Sequence, residues 1–257
     1  MDRPIIFSAP MVAALLAGRK TQTRRLVSPG SCEVLGNRVT AKSPAWAGLR
    51  LHEAVSRSIG PLGTPRPHLD VPWEHPADAA RGVNSETRYR VDPIVQPGDR
   101  LYVRENHAIV PSSAYRMSEG VQQTVNPHDR DEAAIYAAGW ERSKPRWRPS
   151  IHMPRWASRL TLLVTDVRVQ RLQDISRRDA AAEGVAIHEP DLPYLAISTT
   201  APWPGFANHH PPEENFAALW RHLHGPVSWA LNPWVVAISF DVIRANIDAP
   251  ETGSATA

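Results

Sequence analysis

Three side chains in this chain have types suited to acyl chemistry: the amine of Lys20, the hydroxyl of Thr23 and the carboxyl of Glu183. A lysine becomes a base only where burial or neighbouring cations lower its proton affinity. Arg19, Arg24 and Arg25 are such neighbours. A threonine attacks an acyl carbon when an amine takes its proton. Glu183 falls at the C-terminal end of a predicted helix, where the dipole disfavours negative charge and suits a carboxyl to proton donation. Lys20 and Thr23 stand three apart. A regular strand would send them to opposite faces, so the chemistry needs a turn or an irregularity at Thr21-Gln22. The ordinary alternatives are a solvated turn for Lys20 to Thr23 and an exposed helix end for Glu183.

The surrounding sequence predicts what must position them. Ser8 as cap, Pro10 in the first turn and Met11, Leu15 and Leu16 on one face predict a helix, which Gly18 ends. Ser176-Arg177-Arg178-Asp179 fits a capping box, and Gly184 closes that second helix after Glu183. A third helix runs from about Pro212 to His224, with Phe216, Leu219, Trp220 and Leu223 as its apolar stripe and Gly225-Pro226 at its end. Strands are expected at Pro4–Phe7, Asp99–Glu105, Ala134–Ala137, Leu160–Val169 and Trp234–Val242. Proline, 25 of 257 residues, is about twice its usual share. Much of it lies in Val27–Pro97 and Pro190–Pro212, which show no sustained periodicity and read as irregular excursions. Scattered strands, few helices and no βαβ alternation give an α+β fold with a small curled sheet or barrel.

Composition narrows the function classes. No apolar run reaches the roughly 20 residues of a membrane helix, and no secretory leader is visible, so a cytoplasmic protein is expected. One cysteine, Cys32, excludes an internal disulfide and argues against thiolate metal sites. The histidines form no HExxH pattern, and His222 and His224, two apart on a helix, point away from each other, so no metal is expected. No glycine-rich phosphate loop is present, and no cofactor is implied. The formal net charge of +3 is mild. Local clusters say more: Arg19 to Arg25, and Lys144 to Arg159 with Arg146, Arg148 and Arg155 between. Nine tryptophans beside such cations suit either a core or the stacking of bases. In Ile151–Trp156, His152, Arg155 and Trp156 stand where a flat base could stack or pair, or where they simply pack.

The segment Ala17-Gly18-Arg19-Lys20-Thr21-x-Thr23-x-Arg25 resembles the opening signature of ASCH-domain proteins. Pro97-Gly98-Asp99-Arg100-Leu101-Tyr102-Val103 resembles that family's Gly-Asp turn into a strand. Leu172 to Ser176, with the alanine-rich helix ending at Glu183, resembles its acidic segment, and Trp234–Val242 its last strand. The resemblance covers about half the chain. It implies a PUA-like β-barrel with flanking helices, as one domain over 1–245 with insertions at about 27–97, 106–149 and 187–211, and a fraying tail from 246 to 257. Small members of the family are N4-acetylcytidine amidohydrolases. Carried over residue by residue, that implies Lys20 as proton acceptor, Thr23 as nucleophile and Glu183 as proton donor. Arg19, Arg24, Arg25, His152, Arg155 and Trp156 are the candidate substrate-binding residues. The extra length is similar to ASCH proteins of phages and prophages. The expected partner is a nucleoside or nucleobase. The alternatives are an RNA- or modified-base-binding module without catalysis, and a ribonuclease.

Overall fold

A computed structural model describes residues 1–28, 32–34, 37–38, 49, 51–59, 65–72, 88–142, 145–185 and 210–249. The chain divides into two compact units, one made of 1–21, 98–164 and 240–257, the other of 22–97 and 165–239. Mixed α+β structure, mostly sheet with three α-helices, makes up the described residues. In the strand pairings found there, no sheet closes into a barrel.

In the first unit, β1 (Asp2–Ile6) runs parallel to β8 (Arg100–Arg104), Arg3 opposite Leu101. Strand β8 also pairs antiparallel with the start of β12 (Thr161–Arg171), Leu162 opposite Leu101. Alternate residues point inward, so Leu101, Val103, Leu162 and Val164 are buried. Each such side chain contributes on the order of 1.5–3 kcal/mol. Helix α1 (Ala9–Leu16) follows the predicted pattern in part: Ser8 stands at the cap position without a side-chain cap bond, proline sits in the first turn, and Met11, Val12, Ala14 and Leu15 are buried, whereas Leu16 is only partly so. Gly18 then takes φ +71°, a conformation that costs a residue with a Cβ. The stretch expected as an insertion at 106–149 holds an antiparallel sheet of β9 (His107–Pro111), β10 (Gln123–Val125) and β11 (Glu132–Tyr136), with β11 central. Ala134 and Tyr136 of β11 pack with Met153 and Ala157, and Trp156 lies against that cluster.

In the second unit, β2 (Gln22–Leu26) pairs antiparallel with the start of β13 (Trp234–Ile243), Thr23 opposite Ile238 and Gln22 opposite Ser239. The described residues of the region 27–97 are not an irregular excursion. The region contains β3 (Cys32–Val34), β4 (Asn37–Arg38), β5 (Val55–Ile59), β6 (Pro65–Pro72) and β7 (Arg88–Pro93). They form an all-antiparallel sheet in the order β4-β3-β7-β6-β5. Cys32, Val34, Leu69, Val71 and Val91 bury one face of it. The segments are short and carry prolines inside a strand, which hides their period from the sequence. Most of the third expected insertion, 187–211, lies outside the described residues, as do 250–257 of the tail.

Helix α2 (Arg177–Ala182) is capped as predicted: the Asp179 amide donates to Ser176 Oγ at 3.1 Å. Gly184, at φ +86°, ends it. Helix α3 (Pro212–His224) buries Phe216, Leu219 and Trp220, but Leu223 is 56% exposed and does not belong to the buried stripe. The His224 ring packs on Trp220, 4.1 Å between centroids, so it is a packing histidine.

Candidate active site

Strand β2 and helix α2 bring charged side chains together through two matching periodicities. Gln22 and Arg24 are two apart on a strand and share a face, while Asp179 and Glu183 are four apart along a helix and share another. Arg24 Nη1 donates to Gln22 Oε1 at 2.5 Å and to Glu183 Oε1 at 3.1 Å. Its Nη2 donates to Asp179 Oδ2 at 3.1 Å. Gln22 Nε2 donates to Asp179 Oδ1 at 3.2 Å and to Ser239 Oγ on β13 at 3.1 Å. Arg168 on β12 gives Asp179 a second guanidinium, 3.0 Å away. The Phe216 ring of α3 lies 5.7 Å from the Arg24 guanidinium carbon. Arg24 Nε is buried and has no hydrogen-bond partner among the described residues.

The charges set one another. Burial by itself pushes the Asp179 carboxyl up, but the hydrogen bond from Arg168 and the charges of Arg168 and Arg24 outweigh it and hold the group below its ordinary value. Burial lowers the proton affinity of Arg25, and the charge of Glu183 opposes that. His224 is lowered by burial and then by Arg25. Arg25 and Glu183 therefore feel each other as well.

Thr23 lies between Gln22 and Arg24, so alternation points its side chain away from the Arg24 face. No hydrogen bond holds its hydroxyl among the described residues. Glu183 is the residue that caps the C-terminus of α2. Lys20 belongs to the first unit. Its backbone amide donates to Ala14 O at 3.2 Å, and its amine lies 5.6 Å from the Phe7 ring centroid. Lys20, Thr23 and Glu183 are 1%, 2% and 3% exposed. The described residues contain no group of three His, Cys, Asp or Glu that could hold a metal ion.

No family model, curated protein or solved structure matches this chain.

The other candidate residues stand differently. Arg19 is exposed just beyond the end of α1. His152, Arg155 and Trp156 lie in the first unit. His152 is exposed at the end of a short 3-10 turn, and Trp156 is partly buried. Arg155 is occupied: its Nη2 donates to Asp2 Oδ2 and to Asp248 Oδ1, each at 2.6 Å, and its guanidinium lies over Tyr102. Asp179, Gln22 and Arg168 are cluster members to which the sequence alone assigns no chemistry. The i,i+4 spacing of Asp179 and Glu183 and the i,i+2 spacing of Gln22 and Arg24 were the available signals.

Proposed function

We propose that the chain is an amidohydrolase that removes an acyl group from the exocyclic N4 amine of a cytidine-type nucleoside. The observation that carries this reading is the burial of Lys20, Thr23 and Glu183, the same three residues that the family resemblance assigns to chemistry. Lysine and glutamate are almost never fully buried unless paired, and neither a solvated turn nor an exposed helix end fits that burial.

In this mechanism the Lys20 amine takes the Thr23 proton, and Thr23 Oγ1 attacks the amide carbon. The C–N bond breaks to leave an acyl ester on Thr23 and the cytosine amine. The proton lost by Thr23 is the one gained by that amine, and Glu183 delivers it. An ion-paired carboxylate has to collect a proton before it gives one, so Glu183 acts as a relay rather than a standing acid. Water then cleaves the ester. Arg24 holds the Glu183 carboxylate in place through its hydrogen bond. With this reading go a PUA-like barrel, a cytoplasmic location and no cofactor.

The Arg24–Glu183 bond also favours a second reading, a base-binding module that does not turn over, because it gives the buried Glu183 carboxylate a structural partner. Incubating the purified chain with N4-acetylcytidine and following the absorbance change separates the two. Turnover is expected, with losses of roughly a thousandfold or more in Lys20→Ala and Thr23→Ala. An inactive native chain, or full activity in both variants, overturns the hydrolase reading.

A further inference from the structure

A cleft of about 450 Å³ in the first unit is lined by Arg146, Trp147, Arg148, Pro149 and His152. That volume lies within the usual range for small-molecule sites. Its lining holds two guanidiniums and an imidazole and no acid. Neither Arg146 nor Arg148 pairs with a carboxylate among the described residues, whereas Arg155 and Arg159 nearby in sequence both do. The lining therefore carries positive charge that no carboxylate among the described residues pairs with.

The backbone beneath it is fixed. His107 and Arg148 form an antiparallel bridge, with the Arg148 amide donating to His107 O at 2.7 Å and the His107 amide to Arg148 O at 3.2 Å. The Ser150 amide donates to Asn106 Oδ1 at 3.0 Å. The Arg104 guanidinium donates to the carbonyls of Met153 and Ile151. Trp147 packs edge-on against Trp140 with centroids 5.5 Å apart, and Trp140 packs in the same way on Tyr115 at 5.1 Å. The cleft is thus a held shape with cationic side chains, an indole and a proline ring.

We propose that this cleft binds one nucleotide, with its phosphate between Arg146 and Arg148, its base against Trp147 and Pro149, and His152 as a further donor. Guanidiniums match phosphate oxygens in geometry and charge, and base–aromatic stacking tolerates any base. A free 5′-nucleotide and one residue of a single-stranded RNA offer the same chemistry. The site uses none of Lys20, Thr23 or Glu183, so it stands or falls separately from the hydrolase reading.

The test uses the full chain with three probes: AMP, adenosine, and a fluorescein-labelled single-stranded RNA of about ten nucleotides, the last read by anisotropy over a salt series. AMP or the RNA is expected to bind and adenosine to bind at least tenfold more weakly. Binding of AMP alone assigns the free nucleotide, and binding of the RNA alone assigns the strand. Arg146→Ala/Arg148→Ala should weaken binding at least tenfold and, for the RNA, flatten log K against log salt by about 0.7 for each phosphate no longer neutralised. Both arginines are exposed, so the fold should survive, as circular dichroism can check. Trp147→Phe should bind nearly as well but lose part of the ligand-induced tryptophan quenching. Absence of binding by both AMP and RNA, equal binding of adenosine, equal competition by an acidic peptide, or unchanged affinity in the double variant would each overturn the proposal.

Discussion

Among the described residues two buried arginines face carboxylates, and they are built differently. Arg159, in the first unit, grips a single partner with two prongs: Nε to Glu105 Oε1 at 2.8 Å and Nη2 to Glu105 Oε2 at 2.9 Å. Its Nη1 is satisfied by Gln122 at 2.8 Å, and its plane rests on Tyr136, 4.0 Å from the ring centroid. Arg24, in the second unit, is instead divided among Gln22, Asp179 and Glu183 and leaves its Nε unused. The carboxylates respond in opposite directions. At Glu105 burial prevails over its one arginine and the carboxyl is held above its ordinary value. At Asp179 two arginines prevail over burial and the carboxyl is held below it. One guanidinium closed on one carboxylate is a fastening. A guanidinium shared among three partners keeps one donor unspent.

The largest effect should come from opening the closed pair. Arg159→Met leaves the Glu105 charge buried alone and is expected to cost about 3–5 kcal/mol, read by urea unfolding. The apolar double variant Glu105→Leu/Arg159→Met should recover most of that loss. If the double variant is as unstable as the single, Arg159 does more than answer Glu105.

A smaller cost, about 1–3 kcal/mol, is expected for Arg24→Met, because Asp179 keeps Arg168 and Glu183 keeps the charge of Arg25. Hydrolysis, by contrast, should fall well beyond what that loss of stability explains at a temperature where the variant stays folded. Equal activity in Arg24→Met and the native chain would reduce the Arg24 cluster to a second fastening.

The smallest effects are pH slopes. Asp179, lowered in the folded state, contributes stability that is present above its unfolded value of 3.8 and lost as pH falls through the folded one. Glu105, raised in the folded state, contributes stability that is present below its unfolded value of 4.5 and lost as pH rises through the folded one. The stability difference between the native chain and Asp179→Asn should therefore shrink as pH drops from about 5 to 3, while that between the native chain and Glu105→Gln should grow. Each slope is at most about 1.4 kcal/mol per pH unit. Slopes of the same sign would contradict the contrast drawn between the two sites.

The sequence made some of this legible and hid the rest for physical reasons. Helices announce themselves through caps and spacing, so Ser8, Ser176, Gly18 and Gly184 mark where α1 begins and ends and where α2 does. Long strands with β-branched runs, such as β12 and β13, are equally visible. Strands β3 to β7 are not: two- to eight-residue segments with Pro65, Pro67, Pro72 and Pro93 among them carry too few alternations to show a period. Lys20, Thr23 and Glu183 can be picked out by chemical type, but their burial cannot, since it depends on neighbours distant in the chain. Asp179 reads as a local cap because its amide does serve that role. That its carboxylate meanwhile meets Arg24 and Arg168 is tertiary information.

Strand β2 carries two duties on alternate residues, Gln22 and Arg24 toward the helix and Thr23 away from it, with its register pinned by β13. A substitution at one of these positions leaves the other two facing as before. Losing a single residue inside the strand, however, would exchange the two sides at once, presenting a hydroxyl to the acids and a guanidinium to the face that Thr23 occupies. Length, more than identity, is what this segment is least free to vary.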